Sequence, residues 1–238
     1  EPDVVIPVGR DPERPLVGYP SGLLVAGDRI WLSSGTAAAL FEVDPDEGIL
    51  VRGPDDPHIL GDLTVQDSLS LSPGPDGNLL VGSFNRDRIQ VFDPVLGAVV
   101  QGADVEVGVA GAMDGILAMA PRTREGEGFE VFVLLGQANR IAKVAWTADG
   151  PRVTQRFAVT GSIPNGLLLD GDRLLILNSG DNNVQAVDAA TGDALAFEAV
   201  CPPSSNPYSM ARGDGAGRRE LLVTGLMTNS LFVFDADS

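Results

Sequence analysis

Short runs of Leu, Val and Ile recur along this chain at a steady interval, each closed off by Gly, Asp, Asn or Ser. The clearest occupy residues 29–33, 79–84, 130–135, 174–178 and 221–226, a spacing of roughly 45 to 50 residues. Runs of this length bounded by turn residues predict buried β-strands. Each is followed by a second strand of alternating character, at 40–44, 89–93, 141–146, 184–188 and 231–235. Four of these second strands end in Asp44, Asp93, Asp188 and Asp235, and glycine follows at Gly48, Gly97, Gly150 and Gly192. Asp opening a turn and Gly taking its left-handed position predict hairpins rather than helical crossovers.

An inner strand precedes each central one. It opens at Pro20-Ser21-Gly22, Gln66-Asp67-Ser68, Met113-Asp114-Gly115, Pro164-Asn165-Gly166 and Pro207-Tyr208-Ser209, and tight turns such as Gly27-Asp28 and Gly171-Asp172 lead out of it. Outer strands are expected at 49–52, 98–101, 153–159 and 195–200. Four strands in each of five units predict an all-β chain forming one domain, a five-bladed β-propeller of four-stranded antiparallel blades. The blades are placed at 20–54, 66–105, 113–160, 164–201 and 207–238. The last unit lacks an outer strand, and residues 4–9 are expected to pair with 231–235, complete that blade and close the ring. A β-sandwich or a truncated six-bladed ring is the competing architecture; a sandwich requires no fixed repeat. The alanines at 37–39 are too few to nucleate a helix.

The hairpin Asn182-Asn183-Val184-Gln185-Ala186-Val187-Asp188-Ala189-Ala190-Thr191-Gly192 resembles the YVTN-type and NHL-type propeller repeats, with echoes at Asn139-Arg140-Ile141 and Asn229-Ser230-Leu231. That resemblance spans the chain and implies a propeller fold, which serves enzymes, receptors and scaffolds alike. Pro164-Asn165-Gly166 and Asp114-Gly115-Ile116 also resemble inner-strand motifs of the gluconolactonase and senescence-marker-protein group. This second resemblance implies that the matching Asn and Asp bind a divalent metal in the channel and that the Asp acts in lactone hydrolysis. The chain departs from that group in blade number, in the order of the two motifs, and in having Ser21 where the group has a metal-binding Glu.

Composition narrows the partners. A formal charge of −17 argues against nucleic acid and anionic membranes, which need clustered Lys and Arg. It suits a cationic ligand, a metal ion or a basic partner, or else serves solubility. Lys143 is the one lysine among 16 basic residues, in keeping with a GC-rich bacterial gene. The single cysteine, Cys201, rules out an intrachain disulfide and is expected to be a buried small residue. No run is long enough to span a membrane. Glu1 at the start, in place of Met, raises the expectation of a periplasmic or extracellular protein.

Inner strands line a propeller's channel, so Ser21, Asp67, Asp114, Asn165 and Tyr208 are expected to form a ring at its mouth. Asp67, Asp114 and Asn165 supply the hard oxygens that Ca²⁺ or another divalent cation prefers. The alternative is that these side chains bond to strand-end amides and channel water. The loops on the same face add Phe84, Arg86, Asp181 and Met227 as candidate contacts for a small molecule or a protein partner, with Ser21 and Tyr208 beside them. His58, the only histidine, is expected to be solvated on that face. No nucleophilic triad is in view, so any hydrolysis would need a metal-activated water with Asp114 or Asp67 as base. These residues predict a non-catalytic binding propeller. The alternatives are a metal-dependent lactonase or esterase and a structural subunit of a cell-surface assembly.

Overall fold

The computed structural model describes residues 20–35, 38–53, 55–61, 67–124, 128–159, 161–215 and 218–237. Blade 1 comprises β1 (Pro20–Ala26), β2 (Arg29–Ser34), β3 (Ala39–Asp44), β4 (Ile49–Arg52) and β5 (His58–Ile59). Blade 2 comprises β6 (Leu69–Pro73), β7 (Leu79–Ser83), β8 (Arg88–Asp93), β9 (Ala98–Val99) and β10 (Val105–Glu106). Blade 3 holds the long strands β11 (Ile116–Arg124), β12 (Gly128–Leu135), β13 (Arg140–Thr147) and β14 (Gly150–Ala158). In blade 4 follow β15 (Pro164–Asp170), β16 (Arg173–Asn178), β17 (Asn183–Asp188) and β18 (Ala194–Val200). Blade 5 contributes β19 (Pro207–Gly215), β20 (Arg218–Gly225) and β21 (Ser230–Asp235).

Every blade is an antiparallel meander from inner to outer strand, which makes the chain an all-β, five-bladed β-propeller. Among the described residues the fifth blade has three strands, and the closing strand expected at 4–9 lies outside them. One three-residue 3-10 turn, Pro75–Gly77, is the only helical segment described.

The repeat rests on two turn positions. After the central strand, Ala38, Asp87, Asn139, Asn182 and Asn229 all take positive φ at the same place in their blades. After the second strand, Asp44, Asp93 and Asp188 each accept hydrogen bonds at Oδ1 from backbone amides two and three residues on. Gly48, Gly97 and Gly192 then adopt the left-handed conformation that the expected turn requires.

The outer strands of blades 1 and 2 are each split into two short pieces instead of running unbroken. In blade 1, Asp56 N–H turns back to the Gly53 carbonyl and Pro57 has no N–H to offer a ladder. In blade 2, Gly102 at φ 74° turns the chain, and β10 re-pairs with β8.

Adjacent blades share the core. Leu40, Leu69, Val81 and Phe92 pack in the seam of blades 1 and 2, and Ile89, Ile116, Val131 and Val133 in that of blades 2 and 3. Phe132, Ile141, Leu174 and Ile176 fill the next seam; Leu175, Val184, Leu221 and Val223 fill the one after. Each of these side chains, fully buried, contributes about 1.5–3 kcal/mol, so the seams are the main source of stability.

Candidate functional site

The strand registers set Pro20 opposite Ser34, Leu69 opposite Ser83, Ile116 opposite Leu135, Pro164 opposite Asn178 and Pro207 opposite Gly225. Inner-strand openings and the turns after the central strands therefore share one face, the channel mouth. All five residues of the expected ring stand there.

Four of the five side chains are engaged in hydrogen bonds, two of them from one blade to the next. Ser21 Oγ accepts the Leu69 N–H at 2.9 Å and reaches the Leu69 carbonyl at 3.2 Å, bridging blade 1 to the inner strand of blade 2. Asn165 Nδ2 donates to Ser179 Oγ at 2.5 Å and to the Pro207 carbonyl at 3.2 Å, bridging blade 4 to blade 5. The buried Asp67 accepts from the Ser83 hydroxyl and, at 3.0 Å, from the Asn85 amide. Asp114, also buried, accepts the Val109 N–H at 2.8 Å. Tyr208 differs in being 61 % exposed.

These bonds bear on the expected cation. Both oxygens of Asp67 are engaged by protein donors, and among the described residues no three His, Cys, Asp or Glu side chains lie together. Asn165 Oδ1 is a buried oxygen without a hydrogen-bond partner, yet it stands without a gathered set of carboxylates.

A residue that the sequence reading passed over ties the site together. Asp87 is buried and at φ 51°, and its Oδ2 and Oδ1 accept the N–H groups of Asp114 at 2.8 Å and Gly115 at 2.6 Å. Asn182, at the same place in blade 4, accepts the Asn206 N–H at 3.0 Å. The signal lay in the alignment of Asp87 with Asn139, Asn182 and Asn229, all residues that tolerate the left-handed region.

Beside Asp87 opens a cleft of about 530 Å³ between blade 2 and the loop 108–112 that leads into blade 3. Arg86 and Arg88 stand on one side, and the small-residue loop 108–112 forms the other. Asp87 also explains the loop's composition, because a Cβ on Gly108 would lie 2.6 Å from its carboxylate. Arg88 pairs with Asp104 and Glu106, each at 3.3 Å, while Arg156 steadies the loop through the Val107 carbonyl at 3.0 Å. Phe84 lies behind, against Gly115, where a Cβ would come within 2.6 Å of its ring. Asp181 sits two blades away and accepts the Ser162 N–H at 2.8 Å. Of the candidate contacts, the structure thus brings together Phe84, Arg86 and Asp114 and leaves Ser21, Asp181 and Tyr208 apart from them.

His58 is not solvated on this face. It lies in β5, 10 % exposed at the side chain, with its ring 5.5 Å from Trp31 and 5.2 Å from Phe92 and its Nε2 3.3 Å from Glu42. Pairing of β5 with β3 carries it into the seam, where an aromatic pocket replaces water. Cys201 is buried as expected, and burial pushes its thiol pKa up, away from reactivity.

No protein-family model matches the chain, and no curated protein sequence matches it. Solved structures do. Virginiamycin B lyase from Staphylococcus aureus superimposes with TM-score 0.62 at 16 % identity, over 91 % of this chain and 69 % of that one. The periplasmic gluconolactonase of Pseudomonas aeruginosa gives 0.64 at 19 %, over 91 % and 66 %. BBS1N in complex with ARL6DN gives 0.63 at 14 %, over 93 % and 65 %. At these identities the likeness is one of fold, to propellers that include both enzymes and binding proteins.

Proposed function

We propose that this chain is a non-catalytic binding propeller that takes a small ligand with an anionic group in the cleft between blade 2 and the loop 108–112. The observation that carries the reading is the pair of arginines at this cleft: Arg86 and Arg88 both line it, opposite a loop of mostly small side chains. An arginine beside exposed loop backbone suits a carboxylate or phosphate. Phe84 holds the floor through Gly115, and Asp87 holds the loop.

A thermal-shift screen of small carboxylates and phosphate esters tests this. At a hundred times its dissociation constant a true ligand stabilises the protein by about 2.7 kcal/mol, and Arg86→Ala should abolish that ligand-induced shift, measured against the variant's own unliganded melting temperature. Stabilisation that persists in Arg86→Ala places the ligand elsewhere.

The second reading, a metal-dependent lactonase, draws on the likeness to the gluconolactonase fold and on the unpartnered Asn165 Oδ1. Its test is lactone hydrolysis with and without Ca²⁺, Zn²⁺ or Mn²⁺. Turnover that Asp114→Ala abolishes, in a variant shown to remain folded, would replace the first reading with this one.

A further inference from the structure

Corresponding positions in the five blades have different surroundings at the end of the row. Leu40, Ile89, Ile141 and Val184 occupy one place in the second strand, and each is wholly buried against the following blade. Leu231 holds that place in blade 5 and is 59 % exposed; Val233, two residues on, is 55 % exposed where Val91 and Ala186 are buried. Leu222 lies beside Val233 in the ladder, in the position of the buried Trp31, Leu80, Phe132 and Leu175. Blade 5 therefore carries the apolar face with which blades 1 to 4 pack against a successor. At the other end, Leu23 and Val25 of β1 are 65 % and 63 % exposed, although at the place of Leu23 Leu167 is buried and Leu71 and Met119 pack, partly buried, against the core.

These two ends do not meet. Inner strands pack in succession from β1 to β6, β11, β15 and β19, but among the described residues no comparable packing joins β19 back to β1. A fourth strand added to the edge of β21 extends the sheet without covering its face. The superpositions supply a scale: the five blades cover 69 % of virginiamycin B lyase, and the remaining third of that chain amounts to about two units of this repeat length.

We propose that the face formed by Leu222, Leu231 and Val233 is a docking surface for a further propeller blade, from polypeptide outside these 238 residues, and that about two such blades complete the ring. The occupant must be a four-stranded sheet presenting aliphatic residues from its inner strand, because that is what covers the same positions in the preceding blades. A second copy is disfavoured on two counts. Two arcs of five blades do not fit one ring, and two chains of charge −17 repel.

Photo-crosslinking in the cells that make the protein tests this, with p-benzoylphenylalanine replacing Val233 and, as control, Val95, which is 92 % exposed on another surface. The expected product joins position 233 to a peptide from a blade repeat outside residues 1–238, at least about tenfold above the control, as a docked contact worth some 1.4 kcal/mol or more would give. Crosslinks to residues 1–19, to a second copy, to a protein without such repeats, or none above control, overturn the proposal. The purified chain gives an independent check. Leu231→Lys with Val233→Lys should leave its melting temperature within about a degree or two, as exposed substitutions do; a fall of many degrees means that the chain covers this face itself and ends the proposal.

Discussion

Asp87 shows how much one side chain can hold in a propeller. Its two oxygens serve two buried backbone donors on the next blade, and charge-assisted bonds of this kind are the strong ones. Removing the carboxylate leaves both N–H groups without a protein partner. Asp87→Ala is therefore expected to destabilise the protein by about 3 kcal/mol, read by urea denaturation. Asp87→Asn should lose less, since Asn accepts the positive φ and keeps one acceptor oxygen. A loss of only about 1 kcal/mol in Asp87→Ala, with none in Asp87→Asn, would mean that Asp87 acts through its backbone alone. The position was hard to read from the sequence because Asp in a turn has many uses, and only the three-dimensional alignment with Asn182 shows which one applies. The turn aspartates were legible, because their spacing to Gly48, Gly97 and Gly192 is a local property.

Those turns also set a pH dependence. The Thr191 amide, followed by that of Ala190, lowers the Asp188 carboxyl below its usual range, and the Glu47 amide does the same for Asp44 against an opposing effect of burial. A folded pKa below the unfolded one gives stability that is present above about pH 4 and lost as pH falls through the folded value. Melting temperature should thus decline on acidification below about pH 4. Asp188→Asn, which keeps the turn acceptor without the charge, should decline less steeply; an unchanged slope would show that this turn has no part in acid loss.

At the scale of elements, close approach between blades fixes particular glycines. A Cβ on Gly35 would lie 1.7 Å from the Asp67 carbonyl oxygen, whose residue donates its N–H back to Gly35 at 2.8 Å. Backbone stands on both sides, so no side chain can yield. Gly35→Ala should cost about 3 kcal/mol or more, whereas Gly27→Ala, in open space but at φ 62°, should cost only about 1 kcal/mol. Comparing the two by calorimetry separates collision from backbone strain, and similar losses would place Gly35 in a looser seam. Strands were readable from apolar runs because each is short, buried and bounded. The split outer strands were less so, since Pro57 and Gly102 act by stopping a ladder, and an interrupted edge strand keeps the composition of a continuous one.

The whole molecule is where sequence says least about its own ends. Leu231-Phe232-Val233-Phe234-Asp235 reads like any other second strand, and its residues obey the same alternation as Val184 and Ala186. The repeat reveals how many blades the chain makes, but burial depends on a neighbour that a repeat cannot specify. The candidate site shares this limit: the ring at the channel mouth was visible in the inner-strand openings, while the cleft arises only where loop 108–112 folds back beside Arg86. In a row of units, each stabilised by its neighbours, a unit with one uncovered face opens at lower cost than one enclosed on both. Backbone amides of β20 should therefore exchange with solvent faster than those of β12, in which residues 131–135 are all buried. A difference of only about 1.4 kcal/mol in opening free energy gives a tenfold ratio of rates. Native-state hydrogen exchange on the purified chain measures it directly. Equal protection of β20 and β12 would mean that the outer face of blade 5 is covered in solution, and the two ends of the row would then have to meet.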